Sequence, residues 1–232
     1  MLRSVSDDDA TARAAAAASA VELVETGMTI GLGSGRAVFK LVDLLGERGG
    51  VRAAVASNRT AERAREAGIE LVELDGSVEL DLALDGADEV DPQLRLIKGG
   101  GGALLREKIV ISAARRFVVV METPKRVKHL GEHHRLPVEI VRFAWRDTRR
   151  RLARLLPDAV LRGDDGEPYR TDEGHYLLDC VLEPGVDVEA LADELEHVPG
   201  VVEHGLFIGM AERALLGRPD GGVDVLDAAP RG

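Results

Sequence analysis

Cysteine and aromatic residues are scarce in this chain of 232 residues. Its single cysteine, Cys180, excludes an intrachain disulfide and is typical of a reducing compartment, so we expect a cytoplasmic protein. Aromatic residues make up 3% of the sequence, although 45% of it is hydrophobic. The core must therefore be built from valine, leucine, isoleucine and alanine, and the chain is long enough for a sizeable one.

Basic charge and long apolar runs are lacking too. The chain carries 30 basic against 41 acidic residues, a formal net charge of −11, which argues against nucleic-acid binding. No apolar run is long enough to span a bilayer. The alanines at 14–18 follow acidic residues rather than the positive charge of a signal peptide, and indicate a surface helix capped near Ser6. An anionic ligand would need a local cluster of cations and N–H groups.

The order of apolar runs indicates an α/β fold with a parallel sheet. Short apolar runs that predict strands occupy Met28–Leu32, Val51–Ala56, Ile69–Leu74, Leu80–Leu84 and Phe117–Met121. Helical patterns lie between most of them, over Arg36–Leu45, Thr60–Ala67 and Ala103–Ala114. Continuous apolar strands separated by helices are typical of a parallel sheet covered on both faces, which binds ligands at the carboxyl ends of its strands.

After Pro137 the pattern changes to that of a small α+β unit. The predicted strands and helices, in the order β-α-β-β-α-β, are Val138–Phe143, Trp145–Leu156, Ala159–Arg162, Tyr176–Leu182, Val188–His197 and Val201–Phe207. This order is typical of a ferredoxin-like fold. We predict a Rossmann-like parallel sheet domain over residues 1–133 plus 208–232, and a smaller ferredoxin-like α+β domain over residues 134–207.

A glycine-rich loop follows the first predicted strand and opens a helix. Its sequence, GLGSGR at 31–36, lets the backbone approach a ligand, and the helix N-terminus offers free N–H groups to a phosphate. The loop fits neither the dinucleotide pattern GxGxxG nor a P-loop. A tight strand-to-helix turn would explain the glycines alone, but Arg36 adds a cation at the same end and favours phosphate binding.

Two aspartates stand at the end of the fourth predicted strand, in the sequence DGADE at 85–89. Asp85 could simply cap a turn, as aspartates before glycine often do. Its spacing from Asp88 can also bring both carboxylates to one pocket, where they could bind sugar hydroxyls or transfer a proton. We expect the neighbouring Glu89 and Asp91 to be solvated.

A lysine and four glycines come next, at 98–102, and lead into a helix that carries Arg106, Glu107 and Lys108. Consecutive glycine N–H groups can bind an anion, and Lys98 could stabilise an oxyanion. Glu107 could form an ordinary surface ion pair with its neighbours. The closeness of this segment to the aspartates strengthens the functional interpretation. By contrast, His129, His133 and His134 lack a recognisable metal-ligand pattern and indicate a solvated loop, so we expect no metal.

Taken together, these segments closely resemble those of the ribose-5-phosphate isomerase A family. The segments that match the family's motifs are 31–37, 57–60, DGADE at 85–89, KGGGGALLREK at 98–108, METPK at 121–125 and 199–207. They cover almost the whole chain, and the pairing of DGADE with KGGGG…REK is highly specific. The family's loop usually ends in Ser-Thr, whereas this chain has Arg36-Ala37, so two hydroxyl donors are replaced by one guanidinium.

The resemblance implies interconversion of ribose 5-phosphate and ribulose 5-phosphate through a cis-enediolate, without a cofactor. It implies catalytic roles for Glu107 as the base, for Lys98 as a stabiliser of the enediolate and for Asp85 on the sugar oxygens. The substrate-binding residues that it implies are Ser34, Gly35, Arg36, Ala37, Asp85, Gly86, Ala87, Asp88, Lys98, Gly99, Gly100, Gly101 and Lys125. It also implies a homodimer or homotetramer whose small-molecule partner is a sugar phosphate.

Three other functions share some of these features. Coenzyme A transferases look similar and use a glutamate nucleophile, but they need a coenzyme A site and usually a longer chain. A non-catalytic sugar-phosphate sensor would carry a helix-turn-helix segment, which the acidic N-terminus does not provide. A Rossmann dehydrogenase would need GxGxxG and a ribose-binding carboxylate about 20 residues beyond it, whereas Asp75 lies too far along.

Overall fold

The computed structural model describes residues 7–164 and 166–229. Its strands, in chain order, are β1 (Thr29–Leu32), β2 (Arg52–Val55), β3 (Glu70–Leu71), β4 (Leu82–Asp85), β5 (Glu89–Val90), β6 (Leu96–Ile97), β7 (Phe117–Glu122), β8 (Leu136–Ile140), β9 (Val160–Leu161), β10 (Gly163–Asp164), β11 (Glu167–Pro168), β12 (Tyr176–Cys180), β13 (Val201–His204), β14 (Leu206–Phe207), β15 (Arg213–Gly217) and β16 (Val223–Asp227). Its helices are α1 (Asp7–Val21), α2 (Arg36–Arg48), α3 (Asn58–Glu66), α4 (Leu104–Ser112), α5 (Trp145–Leu152) and α6 (Val188–Glu196), with a short 3₁₀ helix at Thr123–Lys125.

A seven-stranded sheet of order β16-β15-β7-β4-β1-β2-β3 forms the larger part of the fold. Its pairings are parallel except at the edge, where β16 runs antiparallel to β15. Strand β4 lies in the middle between β1 and β7, and its last residue is Asp85. The topology therefore places the carboxylate of Asp85 at the centre of the carboxyl edge, where α/β sheets bind ligands.

Helices cover both faces of this sheet. Leu82 and Leu84 pack with α1 and α2 on one face, whereas Ala83 belongs to a separate cluster on the other. This alternation follows from the two-residue period of a strand. Helix α1 buries small side chains against the sheet, at Ala16, Ala17 and Ala20, so one of its faces is part of the core. The predicted cap at Ser6 lies outside the described residues.

A second, four-stranded sheet has the order β13-β8-β12-β9, and all of its pairings are antiparallel. Its core includes side chains from α5 and α6, such as Leu152, Leu191 and Leu195. Numbered within this unit, the strand order is fourth, first, third, second, as the β-α-β-β-α-β pattern requires. The α/β class with a smaller α+β domain is confirmed, and the boundaries at 133/134 and 207/208 stay a prediction.

The predicted strand Val201–Phe207 is wrong in one respect, because the structure divides it between two sheets. Strand β13 belongs to the small sheet, whereas β14 pairs with β6 in a three-stranded sheet that also contains β5. The break falls at Gly205, where an added Cβ would lie 2.3 Å from the carbonyl oxygen of Lys98. The Gly205 carbonyl accepts the N–H of Lys98 at 2.9 Å, so this sheet change fixes the backbone that carries the lysine.

Other predicted elements differ mainly at their ends. The predicted strand Ile69–Leu74 shortens to β3, and the predicted helix Trp145–Leu156 ends at Leu152. The hairpin of β10 and β11 and the two-residue strands β5 and β6 were not predicted. Among the described residues, no helix is long and apolar enough to cross a membrane.

Candidate active site

Asp85 ends β4 and is fully buried beneath the loop that follows β1. Its Oδ1 atom accepts N–H groups from Gly86 at 2.7 Å and from Ser34 at 3.2 Å. A Cβ at Gly33 would lie 1.8 Å from the carboxyl carbon of Asp85. Gly33 is therefore required because the loop packs directly on this carboxylate.

The ammonium of Lys98 lies between two buried carboxylates. Its Nζ atom is 2.8 Å from Oδ2 of Asp85 and 3.1 Å from Oε2 of Glu107. It also donates to the carbonyl oxygen of Gly86 at 2.5 Å. The side chains of all three charged residues are at most 7% exposed. Residues from a strand end, a loop and a helix thus form one buried charged triad, which we call the Asp85–Lys98–Glu107 triad.

Burial shifts the protonation of this triad. It raises the pKa of Glu107 to about 8, with repulsion from Asp85 as the second cause, while Lys98 opposes the rise. Burial also raises the pKa of Asp85 against the opposing charge of Lys98. For Lys98 itself, burial acts to lower the pKa, but the charges of Asp85 and Glu107 outweigh it and raise the pKa above its ordinary value. Glu107 is consequently a carboxyl group that can gain or lose a proton near neutral pH.

Three consecutive side chains of α4 point to three different partners, as the 100° step of a helix requires. Glu107 faces Lys98, while Lys108 donates to Oε1 of Glu203 at 2.6 Å and to carbonyl oxygens of the same segment. Arg106 pairs with Glu173 at 2.6 Å and donates to Asn58 at 3.0 Å. The alternative that Glu107 forms a surface ion pair with its neighbours is therefore wrong.

The glycine loop presents bare backbone between the triad and Asp88. The N–H of Gly100 donates to Oδ2 of Asp88 at 2.7 Å, and the N–H of Gly102 closes a turn on Gly99 at 3.0 Å. Gly100 and Gly101 are exposed. The N–H of Gly101 has no acceptor within residues 7–164 and 166–229. This loop therefore carries a free donor next to the N–H group that binds Asp88.

A network of hydroxyl groups supports the first loop. The Ser34 hydroxyl is 2.9 Å from that of Ser57, which in turn is 2.9 Å from that of Thr60. Thr60 donates to the carbonyl oxygen of Gly33 at 2.9 Å. The segment 57–60 matches a motif of the family, but Ser57 and Thr60 are not among the predicted site residues. Their hydroxyl groups fix the loop rather than face the triad.

Arg36 and Ala37 begin α2, with Gly35 at the helix N-cap in a positive-φ conformation. Ala37 is buried, whereas Arg36 is exposed and lines a cleft of about 460 Å³ with Arg13 and Lys40. Arg36 has no ion pair with any other described residue. The backbone of this segment belongs to the loop above Asp85, but the guanidinium lies over the groove that α1 forms with α2.

Lys125 contacts the DGADE segment through its ammonium group. Its Nζ atom donates to the carbonyl oxygen of Ala87 at 3.0 Å and lies 3.2 Å from Oε2 of Glu122. Glu122 also accepts a hydrogen bond from Arg13 of α1 at 2.7 Å. This chain of contacts ties the lysine to the DGADE segment, so the structure brings together the predicted site residues of 85–88, 98–101, 107 and 125.

Glu89 and Asp91, which we expected to be solvated, are fully buried. Glu89 accepts backbone N–H groups of the 131–134 loop, at 2.6 Å from Gly131 and 2.7 Å from His134. Asp91 accepts from its own turn and pairs with Arg95 at 2.6 Å. Both carboxylates satisfy buried backbone donors, which sequence spacing does not reveal. Among the described residues, no cluster of three potential ligands could hold a metal ion.

Comparisons with known proteins agree with this geometry. Residues 52–221 match the family model of ribose 5-phosphate isomerase A (phosphoriboisomerase A). The chain is 50% identical over 225 residues to the ribose-5-phosphate isomerase A of Roseiflexus castenholzii, which covers 94% of this chain and 96% of the relative. The solved enzyme of Methanocaldococcus jannaschii is similar with a TM-score of 0.87 and 36% identity, covering 94% and 99% of the two chains. A solved ribose-5-phosphate isomerase in complex with phospho-erythronic acid has a TM-score of 0.87 and 33% identity, covering 93% and 97%.

Gly33→Ala is expected to destabilise the fold by about 1–3 kcal/mol, because its methyl group must displace the buried carboxylate of Asp85. Urea unfolding measures the change. Gly101→Ala is the matched control, since an added Cβ there meets nothing within 4 Å and its φ is not positive. That variant is expected to stay within about 0.5 kcal/mol of the parent. Equal stability of both variants would contradict the packing described for Gly33.

Proposed function

This chain belongs to the ribose 5-phosphate isomerase A family, and we propose that it interconverts ribose 5-phosphate and ribulose 5-phosphate at the Asp85–Lys98–Glu107 triad. The observation that carries the proposal is the burial of Glu107 beside Lys98, which raises the pKa of the carboxyl group to about 8. A base that titrates near the working pH is suited to removing a proton from carbon. The lysine offers positive charge where an oxyanion would form.

The reaction requires the transfer of one proton between neighbouring carbons. Glu107 takes the proton from C2 of the open-chain aldose, and the electron pair of that C–H bond forms a C1–C2 double bond. The carbonyl oxygen O1 then becomes an enediolate oxygen. Transfer of the O2 proton to O1, and return of the proton from Glu107 to C1, yields the ketose. No electrons leave the substrate, so the balance needs no redox partner.

Negative charge on the enediolate oxygens needs fixed donors nearby. Lys98 stays protonated across the neutral range because Asp85 and Glu107 raise its pKa. The glycine loop adds N–H groups, and that of the exposed Gly101 has no acceptor among the described residues. Donors that are already oriented stabilise the charge as it forms without reorganising. We assign Lys98 and this loop to the enediolate.

The remaining predicted residues surround the sugar and its phosphate. We assign Asp85 to ring opening or to proton movement on the sugar oxygens, and Asp88 with Gly86 and Ala87 to hydroxyl groups. The loop from Ser34 to Ala37 suits the phosphate because its N–H groups from Gly35 onward stand at the N-terminus of α2, which attracts an anion. Lys125 adds a cation beside Ala87.

The expectations of assembly and compartment remain proposals. A homodimer or homotetramer follows from the family resemblance. A cytoplasmic location is supported by the one cysteine, Cys180, which is buried as a free thiol and whose pKa burial raises to about 12. A buried, protonated thiol of this kind is inert and contributes packing rather than chemistry.

Purified protein is expected to interconvert the two pentose phosphates in the presence of EDTA and without added nucleotide, because the triad supplies the base and the positive charge itself. A coupled assay or NMR exchange at C2 measures turnover. A folded sample that binds ribose 5-phosphate tightly but does not turn it over would favour the sugar-phosphate sensor. Failure to bind it at all would contradict both alternatives.

Glu107→Gln is expected to lower kcat by about 10²- to 10⁴-fold and to leave substrate affinity nearly unchanged, since the amide keeps its size but cannot accept a proton. In the parent enzyme, kcat/KM is expected to rise with pH to about 8, because the carboxyl group must lose its proton before it can act. Steady-state kinetics from pH 5 to pH 9 measure both.

The exposed Glu66 of α3 provides the control, and Glu66→Gln is expected to keep the parent kinetics. If kcat/KM instead rises with pH near the ordinary pKa of glutamate, the base is not a carboxyl group with a raised pKa, and Glu107 is not that base. Loss of affinity without a specific loss of rate would also exclude that role.

Arg36→Ser is expected to raise KM by about two- to fivefold and to leave kcat unchanged, because removing one exposed cation near an anion is worth about 0.5–1 kcal/mol. Lys40→Ser, one turn further along α2 and on the same cleft, is the control and should change KM less. An unchanged KM for Arg36→Ser would show that the guanidinium serves the groove against α1 rather than the phosphate.

A further inference from the structure

We propose that Arg162 of the small domain is a positioning residue for catalysis, which holds the glycine loop so that its N–H groups face the substrate. The inference rests on the proposed isomerase function and adds to it a residue outside the family's motifs. Arg162 follows β9 and reaches the loop across the boundary between the two sheets. Its side chain is only 18% exposed.

The guanidinium of Arg162 has two sets of partners. Its Nε and Nη2 atoms donate to the two carboxylate oxygens of Asp179 on β12, at 2.9 Å and 2.5 Å. Its remaining nitrogen, Nη1, donates to the carbonyl oxygens of Gly99 at 2.9 Å and Gly100 at 3.2 Å. A bidentate arginine–carboxylate pair fixes the plane of the guanidinium. Asp179 therefore aims the third nitrogen at the loop.

Tyr169 adds a second contact from the same domain. Its backbone N–H donates to the carbonyl oxygen of Arg162 at 2.9 Å, so the two residues are linked. The Tyr169 hydroxyl donates to the carbonyl oxygen of Gly101 at 3.4 Å, and an added Cβ at Gly102 would lie 2.3 Å from that hydroxyl. Three successive carbonyl groups, those of Gly99, Gly100 and Gly101, thus face the small domain.

The direction of the carbonyl groups determines that of the N–H groups. In a trans peptide, the C=O of one residue and the N–H of the next point in opposite directions. The N–H of Gly100 accordingly points away from Arg162 and donates to Asp88. By the same geometry, the N–H of Gly101 points away from Arg162, on the side of the catalytic segment. A four-glycine loop has little stiffness of its own, so these external contacts are what hold it.

An ordinary contact between two domains would not need a guanidinium that is held by a carboxylate and donates to loop carbonyl groups. The chain already has ordinary interdomain ion pairs, between Lys108 and Glu203 and between Arg106 and Glu173. Arg162 differs because the acceptors of its guanidinium, apart from Asp179, are carbonyl groups of the loop that is assigned to the enediolate. Loss of Arg162 should therefore affect transition-state stabilisation more than phosphate binding.

Arg162→Ala is expected to lower kcat on the order of 100-fold, the size of effect that a displaced catalytic group produces. Phospho-erythronic acid and inorganic phosphate serve as competitive inhibitors that separate the two ends of the substrate. Phospho-erythronic acid carries a carboxylate as well as a phosphate, and under the proposal the carboxylate meets the loop donors. Its inhibition constant is therefore expected to rise about tenfold. That of inorganic phosphate should not change. The rise of kcat/KM with pH to about 8 should also be unchanged, because Glu107 does not contact Arg162.

Arg135→Ala is the matched control. Arg135 also donates to carbonyl oxygens of the small domain, including that of Asp179, but contacts none of the loop glycines. It is expected to keep the parent kinetics.

Arg162→Lys is expected to recover only part of the lost rate, since an ammonium lacks the planar fork that engages Asp179 and the carbonyls together. If Arg162→Ala fails to fold by circular dichroism, Arg162→Lys and Asp179→Asn provide the same comparison.

Unchanged kcat and inhibition constants in Arg162→Ala would overturn the proposal. An equal loss of affinity for both inhibitors would also overturn it, because the arginine would then hold the whole domain rather than the loop. If the parent protein shows no turnover, the proposed function fails instead. In that case, calorimetry with phospho-erythronic acid on the parent and Arg162→Ala still decides whether Arg162 orders the loop.

Discussion

The contact on which the rest of the site depends is that of the Lys98 ammonium with two buried carboxylates. The Lys98 ammonium lies 2.8 Å from Asp85 and 3.1 Å from Glu107 in a region that excludes water, so the two carboxyl groups share its one positive charge. Breaking such a group by removing one member leaves a buried charge without a partner, which is far more destabilising than losing a surface ion pair. The fold must therefore bring the side chains of Asp85, Lys98 and Glu107 together, and several of its elements contribute to this.

Each member of the triad reaches this point through a different level of structure. Asp85 arrives because β4 is the middle strand of the large sheet. Lys98 is held by its backbone, which pairs with Gly205 where the chain leaves the small sheet. Glu107 is aimed by α4, whose neighbouring residues Arg106 and Lys108 contact the small domain. The small domain thus supports the proposed active site, although none of the triad residues lies within it.

Sequence reasoning predicted the parts of this site that are local along the chain. The residues of DGADE and of KGGGG…REK lie in contiguous motifs, and the strand–helix alternation places them at one edge of a sheet. Residue patterns alone offered a surface ion pair for Glu107, and its role as the base came from the family resemblance. Its burial depends on Asp85 and Lys98 together, which no spacing expresses. The misjudged Glu89 depends on N–H groups more than 40 residues away, and Arg162 depends on loop carbonyls more than 60 residues away. Long-range contacts between polar groups were thus the main source of error.

For Glu107 as the proposed base, burial sets both its strength and a limit on its use. A pKa of about 8 makes the carboxylate a far stronger base than ordinary glutamate, but leaves only about a tenth of it ionised at pH 7. That fraction corresponds to about 1.4 kcal/mol, a modest penalty against the gain in basicity. The proton that Glu107 retains also removes one negative charge from a site that must accept a phosphate in a protein of net charge −11. In the proposed mechanism, the raised pKa therefore helps an anionic substrate to bind before it helps the carboxylate to react. Lys98, which lowers that pKa by its charge, sets the balance between the two.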